Sequence, residues 1–230
     1  MTFRRFAILL AVLCFAAFGQ LEMLGALPNV PEMTPSLDAG AWVEYKTIDA
    51  EGEASFFKFS ILSQEEDDEL YWFEIKATDS EGKWTIVKFK SSDPQDPNAA
   101  VSLVVQPMGS EPREMDFMLP ANRPSMPGAE TEEAEVEVPE IDFEVEKGVI
   151  VELRAGKFEC DKYTLIDEDG KTEIWFSPDV PIAGVVKAVR DGKGVTELAK
   201  FGKDGAKSEI KGEPEKIEIP NLRQLMRQPE

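Results

Sequence analysis

Three tetrapeptides repeat one pattern of Asp-x-acidic-Gly: Asp49-Ala-Glu-Gly52, Asp79-Ser-Glu-Gly82 and Asp167-Glu-Asp-Gly170. Each is followed by a run rich in aromatic and β-branched residues, namely Phe56 to Phe59, Trp84 to Val87 and Thr172 to Phe176. An Asp carboxylate caps a tight turn by accepting nearby backbone N–H groups, and Gly supplies the φ > 0 residue that closes it. The pattern therefore predicts three hairpins and commits much of the chain to antiparallel sheet. It does not fit calcium loops, because the oxygen ligands do not continue at regular spacing and no closing bidentate Glu follows.

The runs beside these turns alternate with period two. In Ala41 to Ile48, Val43 and Tyr45 share one face while Glu44 and Lys46 take the other. In Leu70 to Thr78, Tyr71, Phe73, Ile75 and Ala77 line up against Trp72, Glu74 and Lys76. Such alternation predicts half-buried strands. Further strands are expected at Ile141–Val145, Val149–Arg154, Lys157–Ile166, Val185–Arg190 and Thr196–Phe201. A short helix is expected over Asn98–Gln106, where Ala99, Ala100, Leu103 and Val104 recur at helical spacing, and Leu222–Met226 has room for one helical turn. The expected fold is mainly β, an antiparallel hairpin-rich curved sheet of half-barrel type with few short helices.

Punctuation divides the chain further. Residues 1–19 carry Arg4 and Arg5, an uncharged apolar run from Phe6 to Phe18, and small residues at Ala17 and Gly19. These are the parts of a cleavable signal peptide, too short in its apolar run for the roughly 20 residues of a membrane span. Cys14 follows Leu13, which is not the small residue that a lipid-attachment site needs. Residues 20–37 read as an extended lead-in, 38–119 as an N-terminal β half, and 120–139 as an acidic Pro/Gly linker. Residues 140–212 form a C-terminal β half, and 213–230 a charged tail. One sheet shared by both halves is preferred, since each half alone has few strands to cover a core. The expected location is outside the cytoplasm, in the periplasm or in the medium, with no transmembrane anchor once the signal is cut.

Charge and missing residue types narrow the function. The formal charge is −20, and removal of Arg4 and Arg5 takes it to −22. Such a surface repels nucleic acid and leaves open a basic protein partner. The chain has no histidine, which removes Ser-His-Asp and Cys-His catalysis and His-based zinc sites. Cys160 would be the single cysteine of a processed chain; its alternation with charged neighbours predicts burial, and those acids disfavour the thiolate. The acidic run Glu65–Glu69 reads as a solvated loop between strands. No catalytic residues, metal ligands or cofactor site are expected, and a hydrolase built on paired carboxylates is the weakest of the functional readings.

One segment stands apart. Trp175-Phe-Ser-Pro-Asp-Val-Pro-Ile-Ala-Gly-Val-Val-Lys187 joins an aromatic strand end to an apolar strand through two prolines and a glycine. It reads either as a rigid turn packed on the core or as the lip of an apolar cavity. With Ala155-Gly-Lys-Phe-Glu-Cys160 before it and Phe201-Gly-Lys-Asp-Gly-Ala-Lys-Ser-Glu-Ile210 after it, it resembles a family of uncharacterised secreted bacterial proteins that share an AGxFxC…WxSPxVPxxGxVK pattern. The layout of strands and hairpins is more distantly similar to periplasmic lipoprotein carriers of the LolA/LolB type. That resemblance implies an incomplete barrel around an apolar cavity that holds acyl chains. The expectation is an exported, non-enzymatic envelope protein that binds a lipid, a lipoprotein or another apolar ligand. The candidate ligand-binding residues are Trp72, Trp84, Trp175, Phe176, Ile182 and Val185. A structural or protein-interaction module without a cavity is the alternative.

Overall fold

The computed structural model describes residues 38–64, 70–92, 100–116, 143–167 and 170–217. The expected signal peptide, lead-in, 120–139 linker, Glu65–Glu69 loop and turn at Leu222–Met226 lie outside the described residues. Twelve strands follow one another: β1 (Trp42–Ile48), β2 (Ala54–Gln64), β3 (Tyr71–Thr78), β4 (Trp84–Ser91), β5 (Ala100–Pro107) and β6 (Arg113–Asp116). The second series is β7 (Phe143–Leu153), β8 (Gly156–Asp167), β9 (Gly170–Phe176), β10 (Val185–Arg190), β11 (Gly194–Gly202) and β12 (Glu215–Lys216). All belong to one open, curved sheet in the order β12-β6-β5-β4-β3-β2-β1-β11-β10-β9-β8-β7. Every neighbouring pair is antiparallel except β12 with β6.

The turns form as the sequence dictates. Asp49 Oδ1 accepts the N–H groups of Glu51 (3.0 Å) and Glu53 (2.8 Å), and Gly52 sits at φ 88°. Asp79 does the same for Glu81 and Lys83, with Gly82 at φ 81°. The third turn joins β8 to β9, but its middle residues, 168–169, lie outside the described residues.

Two expectations are corrected. Ala100–Pro107, taken as part of a short helix over Asn98–Gln106, is strand β5. β-Branched Val101, Val104 and Val105 fit a pleated surface, and β4 and β6 offer pairing on both sides. The separate strands expected at Ile141–Val145 and Val149–Arg154 are one strand, β7, with a bulge between Glu146 and Val149 where Gly148 takes φ 71°. Bulges use such a glycine to bend a strand without ending it. No helix occurs among the described residues.

The two faces have different chemistry. The inner face carries Val43, Tyr45, Phe57, Phe59, Ile61, Phe73, Ile75 and Phe89 from the first half, all buried. Phe158, Cys160, Tyr163, Leu165, Ile174, Ala188 and Leu198 of the second half join them in one core. The curvature is tight at the C-terminal end. The Phe158 ring on β8 lies 5.9 Å from that of Phe201 on β11, and β7 returns to touch β11. The Tyr45 hydroxyl reaches past β11 to donate to the Val185 carbonyl on β10 at 3.0 Å.

The outer face is crossed by a strap, residues 203–217. It leaves β11, passes over β1 to β5 and ends as β12, which pairs with β6 and forms the edge of the sheet. Ala206 N donates to Gly40 O, and buried Glu74 on β3 accepts from Ser208 Oγ and Glu209 N. Gln106 on β5 exchanges hydrogen bonds with the backbone of Lys211, accepting from its N and donating to its O, both at 2.9 Å. Glu209 bridges Lys58 (2.7 Å) and Lys76 (2.6 Å). Under this strap Ser60, Glu74, Ile86, Val104 and Gln106 are buried, although their face is otherwise solvated.

Partial burial pushes the Glu209 carboxyl up, but hydrogen bonds and charge from Lys58 and Lys76 outweigh it and hold the group below its ordinary value. A carboxyl whose pKa is depressed on folding adds stability above its unfolded pKa, about 4.3, and loses it as pH falls through the folded value. Glu209→Gln is therefore expected to lower the urea midpoint at neutral pH, with the difference from the parent shrinking as acid protonates the carboxyl. A deficit that persists undiminished in acid would show that the ionised carboxylate is not what ties the strap down.

Candidate ligand cavity

The inner face is not filled everywhere. At the end of the sheet carrying the β1–β2 and β10–β11 hairpins lies a cavity of about 410 Å³. Its wall is apolar, built from Tyr45, Phe57, Ile174, Val185 and Ala188, with Thr47 and Thr196 beside them. These residues meet because β1, β11, β10 and β9 are successive neighbours in the sheet. Thr47 pairs with Thr196, Thr196 with Ala188, and Ala188 with Ile174, which places all four side chains in one row on the inner face. Small Ala188 in that row leaves the hollow open, where a Leu or Phe would close it.

The polar groups of the wall are already engaged. Thr47 and Thr196 hydroxyls lie 3.2 Å apart as a hydrogen-bonded pair, and Tyr45 donates to Val185 O. Burial pushes the Tyr45 hydroxyl well above the ordinary tyrosine value, so it stays a neutral donor. The mouth is charged: Asp49 stands on the first hairpin and Arg190, Asp191 and Lys193 on the second. Asp191 sits at φ 52°; its N donates to Lys171 O (2.8 Å), and its Oδ1 accepts from Lys171 N (2.9 Å). It thereby ties the β10–β11 turn to β9.

Of the six residues proposed from the sequence, the cavity takes in Val185. Ile182 belongs to the 177–184 loop, whose Val180, Pro181 and Ile182 are buried in the core. Ile182 holds φ 69° and Gly184 φ 67°, an arrangement that a β-branched residue adopts only when its surroundings impose it. Phe176 lays its ring against the Cα of Gly184, leaving no room for a Cβ there. In the same loop the buried Ser177 Oγ has no hydrogen-bond partner among the described residues.

Trp72, Trp84 and Trp175 stand on the outer face, each beneath a lysine. Lys88 lies 4.4 Å from the Trp72 ring, Lys76 5.7 Å from Trp84, and Lys162 and Lys187 5.1 and 5.8 Å from Trp175. Trp42 completes the pattern under Lys58 at 5.1 Å, so every tryptophan of the chain carries a cation on one ring face. Lys162 also pairs with Glu173, whose carboxyl is held below its ordinary value by hydrogen bonds from Lys162 and Lys171.

The residues missed at the sequence level are Tyr45, Thr47, Phe57, Ile174, Ala188 and Thr196. Their inward phase is readable from the alternation. Their convergence depends on β1 pairing with β11, a contact about 150 residues apart that no local pattern encodes. Cys160 is buried, as its neighbours imply; burial and the Asp161 charge push its thiol up to about 11. Among the described residues no group of three or more His, Cys, Asp or Glu side chains is placed to hold a metal ion. No described helix is long and apolar enough to cross a membrane.

No family model and no curated protein sequence matches the chain. Among solved structures it is similar to a candidate lipoprotein from Parabacteroides distasonis, with 13% identity over 73% of this chain and 97% of that one and a TM-score of 0.37. A candidate exported protein with a YmcC-like fold from Bacteroides fragilis gives 13% identity, 74% and 98% coverage, and a TM-score of 0.35. PNGF-II gives 9% identity and a TM-score of 0.33; 83% of this chain aligns, spanning 34% of that one. At these scores the likenesses carry no functional argument.

Proposed function

We propose that this protein is an exported, non-enzymatic binder of an apolar ligand, which it holds at the open end of its curved sheet. The observation that supports this reading is the cavity of about 410 Å³ with an apolar wall, within the range of about 300–1,000 Å³ typical of small-molecule sites. Its wall presents no unpaired polar group that would mark a reaction centre. Of the two carboxylates at its mouth, Asp49 accepts backbone N–H bonds within its own turn, and Asp191 accepts one from Lys171 on β9. Export is the reading of the first nineteen residues, and the half-barrel carriers of periplasmic lipoproteins supply the analogy for the ligand.

Native mass spectrometry of the mature protein from an exporting host tests the reading. Ala188→Phe places a ring in the hollow and is expected to weaken uptake of added lipid at least tenfold. The thermal midpoint should be held or raised, since filling a void commonly adds about 0.5–2 kcal/mol. Uptake unchanged by this substitution, or no uptake by the parent protein, would overturn the assignment.

A further inference from the structure

The depth of the cavity along each strand sets the class of ligand; this step rests on reading the cavity as a binding site. On β10 the wall runs from Arg190 at the mouth down to Val185, the whole length of that strand, roughly 16 Å. On β1 it runs from Asp49 to Tyr45, and on β2 it takes in Phe57, which pairs with Tyr45. One level deeper on the same two strands Val43 pairs with Phe59, and both are buried in the core and take no part in the wall. The hollow is therefore a slot that follows the strands and ends at the level of Tyr45. If a chain carbon takes a share similar to that of a water molecule in its liquid, about 30 Å³, the slot holds on the order of a dozen carbons. Strung over that depth, they make one extended chain, with no room for two side by side.

Tyr45 closes the inner end. It stands on β1 opposite Leu198 of β11, yet its hydroxyl donates to Val185 O on β10 at 3.0 Å, so the ring lies across β11 on the inner face. The hydrogen bond ties the tip of the side chain to the backbone of the second strand over. A ring fixed at both ends is a stop that the end of a ligand chain does not push aside. The mouth makes no such choice: Asp49 and Asp191 stand beside Arg190 and Lys193, two charges of each sign. Selection falls on the apolar part of the ligand.

We infer that the ligand is a single unbranched alkyl chain, accepted up to a fixed length, and that Tyr45 is the specificity-determining residue that sets this length.

Uncharged n-alkanols from octanol to hexadecanol read chain length without a charged head. Each is brought to the mature protein by equilibrium dialysis, and bound alcohol is quantified by gas chromatography. Affinity should rise about fourfold per added carbon while carbons are being buried, then stop rising near a dozen. Tyr45→Leu should move that break toward longer chains by about two carbons, since the shorter side chain leaves space at the floor. Tyr45→Phe keeps the ring and cuts only its tether, so it reports even where the larger change prevents folding. It should raise affinity for alcohols longer than the break and leave the shorter ones unchanged. A break that neither variant moves overturns the role of Tyr45, and affinity that climbs steadily to hexadecanol in the parent overturns the fixed length. 2-Butyloctanol, twelve carbons in two branches, should bind about tenfold more weakly than dodecanol or worse; equal binding overturns the single-chain assignment. Failure of every alcohol to bind overturns the cavity reading itself.

Discussion

Gly184→Ala is expected to lower the stability of the folded protein by about 3 kcal/mol, from two separate costs. The first is conformational: Gly184 holds φ 67°, where a side chain costs about 1–2 kcal/mol. The second is steric, because the new Cβ would enter the Phe176 ring, and overpacking of this kind costs about 1–3 kcal/mol. Gly52→Ala separates them. Gly52 has φ 88° but open space around its Cβ position, so only the conformational cost applies, about 1 kcal/mol. Urea midpoints of the two variants decide the matter, and equal losses would mean that the ring moves aside at no cost. The stake is more than local: Gly184 closes the loop that inserts Val180 and Ile182 into the core, and Ser177 N donates to Gly184 O at 2.8 Å.

Phe73→Ala should cost more, about 3–5 kcal/mol, the usual penalty for emptying a fully buried aromatic site. Phe73 is 0% exposed and sits at the centre of a ladder across three strands. Its ring lies 5.2 Å from Phe89 on β4 and 5.8 Å from Phe59 on β2, with Tyr71 of its own strand also at 5.8 Å. No single movement of the sheet closes the hole, because β2 and β4 are each held by their own neighbours. The adjacent residue gives the contrast. Trp72 faces the other way, half-exposed beneath Lys88, an interaction of about 0.5–1 kcal/mol at such a site. Trp72→Ala should lose well under half of what Phe73→Ala loses in chemical denaturation. Comparable losses would contradict the inward and outward assignment of β3.

That the residues of β3 divide between two faces was legible before any coordinates. Phe73 and Ile75 against Trp72 and Glu74 is a period-two pattern, and the pleat turns such a pattern into two faces. The Asp-x-acidic-Gly turns were equally legible, since the Asp carboxylate and the Gly backbone act within four residues. What could not be read is which aromatic face turns inward. Tryptophan looked like cavity lining on hydrophobicity alone, but an indole presents a π-face to a cation, and the neighbouring strands supply lysines at Lys58, Lys76, Lys88, Lys162 and Lys187. Tyr45, Phe57, Phe59, Phe73 and Phe89 carry the inner face. The strap was illegible for a related reason. Residues 203–214 contain no periodic apolar signal, and what fixes them is Glu74 and Gln106, polar side chains more than 100 residues away.

The position of β1 has a further consequence, for the order in which the chain assembles. The pairings from β1 through β6 and from β7 through β11 join strands consecutive in sequence, so each series is a meander that grows one hairpin at a time. Their strands pair with each other only where β1 takes β11 as its second neighbour, joining positions such as Thr47 and Thr196, 149 residues apart. Closing a loop of that length costs roughly 3 kcal/mol more entropy than closing a hairpin of a few residues. Topologies with such long closures fold slowly at that step. The seam between β1 and β11 is thus the late joint of the molecule. The ligand cavity is built across it, from Tyr45 and Thr47 on one side and Ala188 and Thr196 on the other. Neither meander contains the site alone, and a chain that has not yet closed its seam has nowhere to hold a ligand.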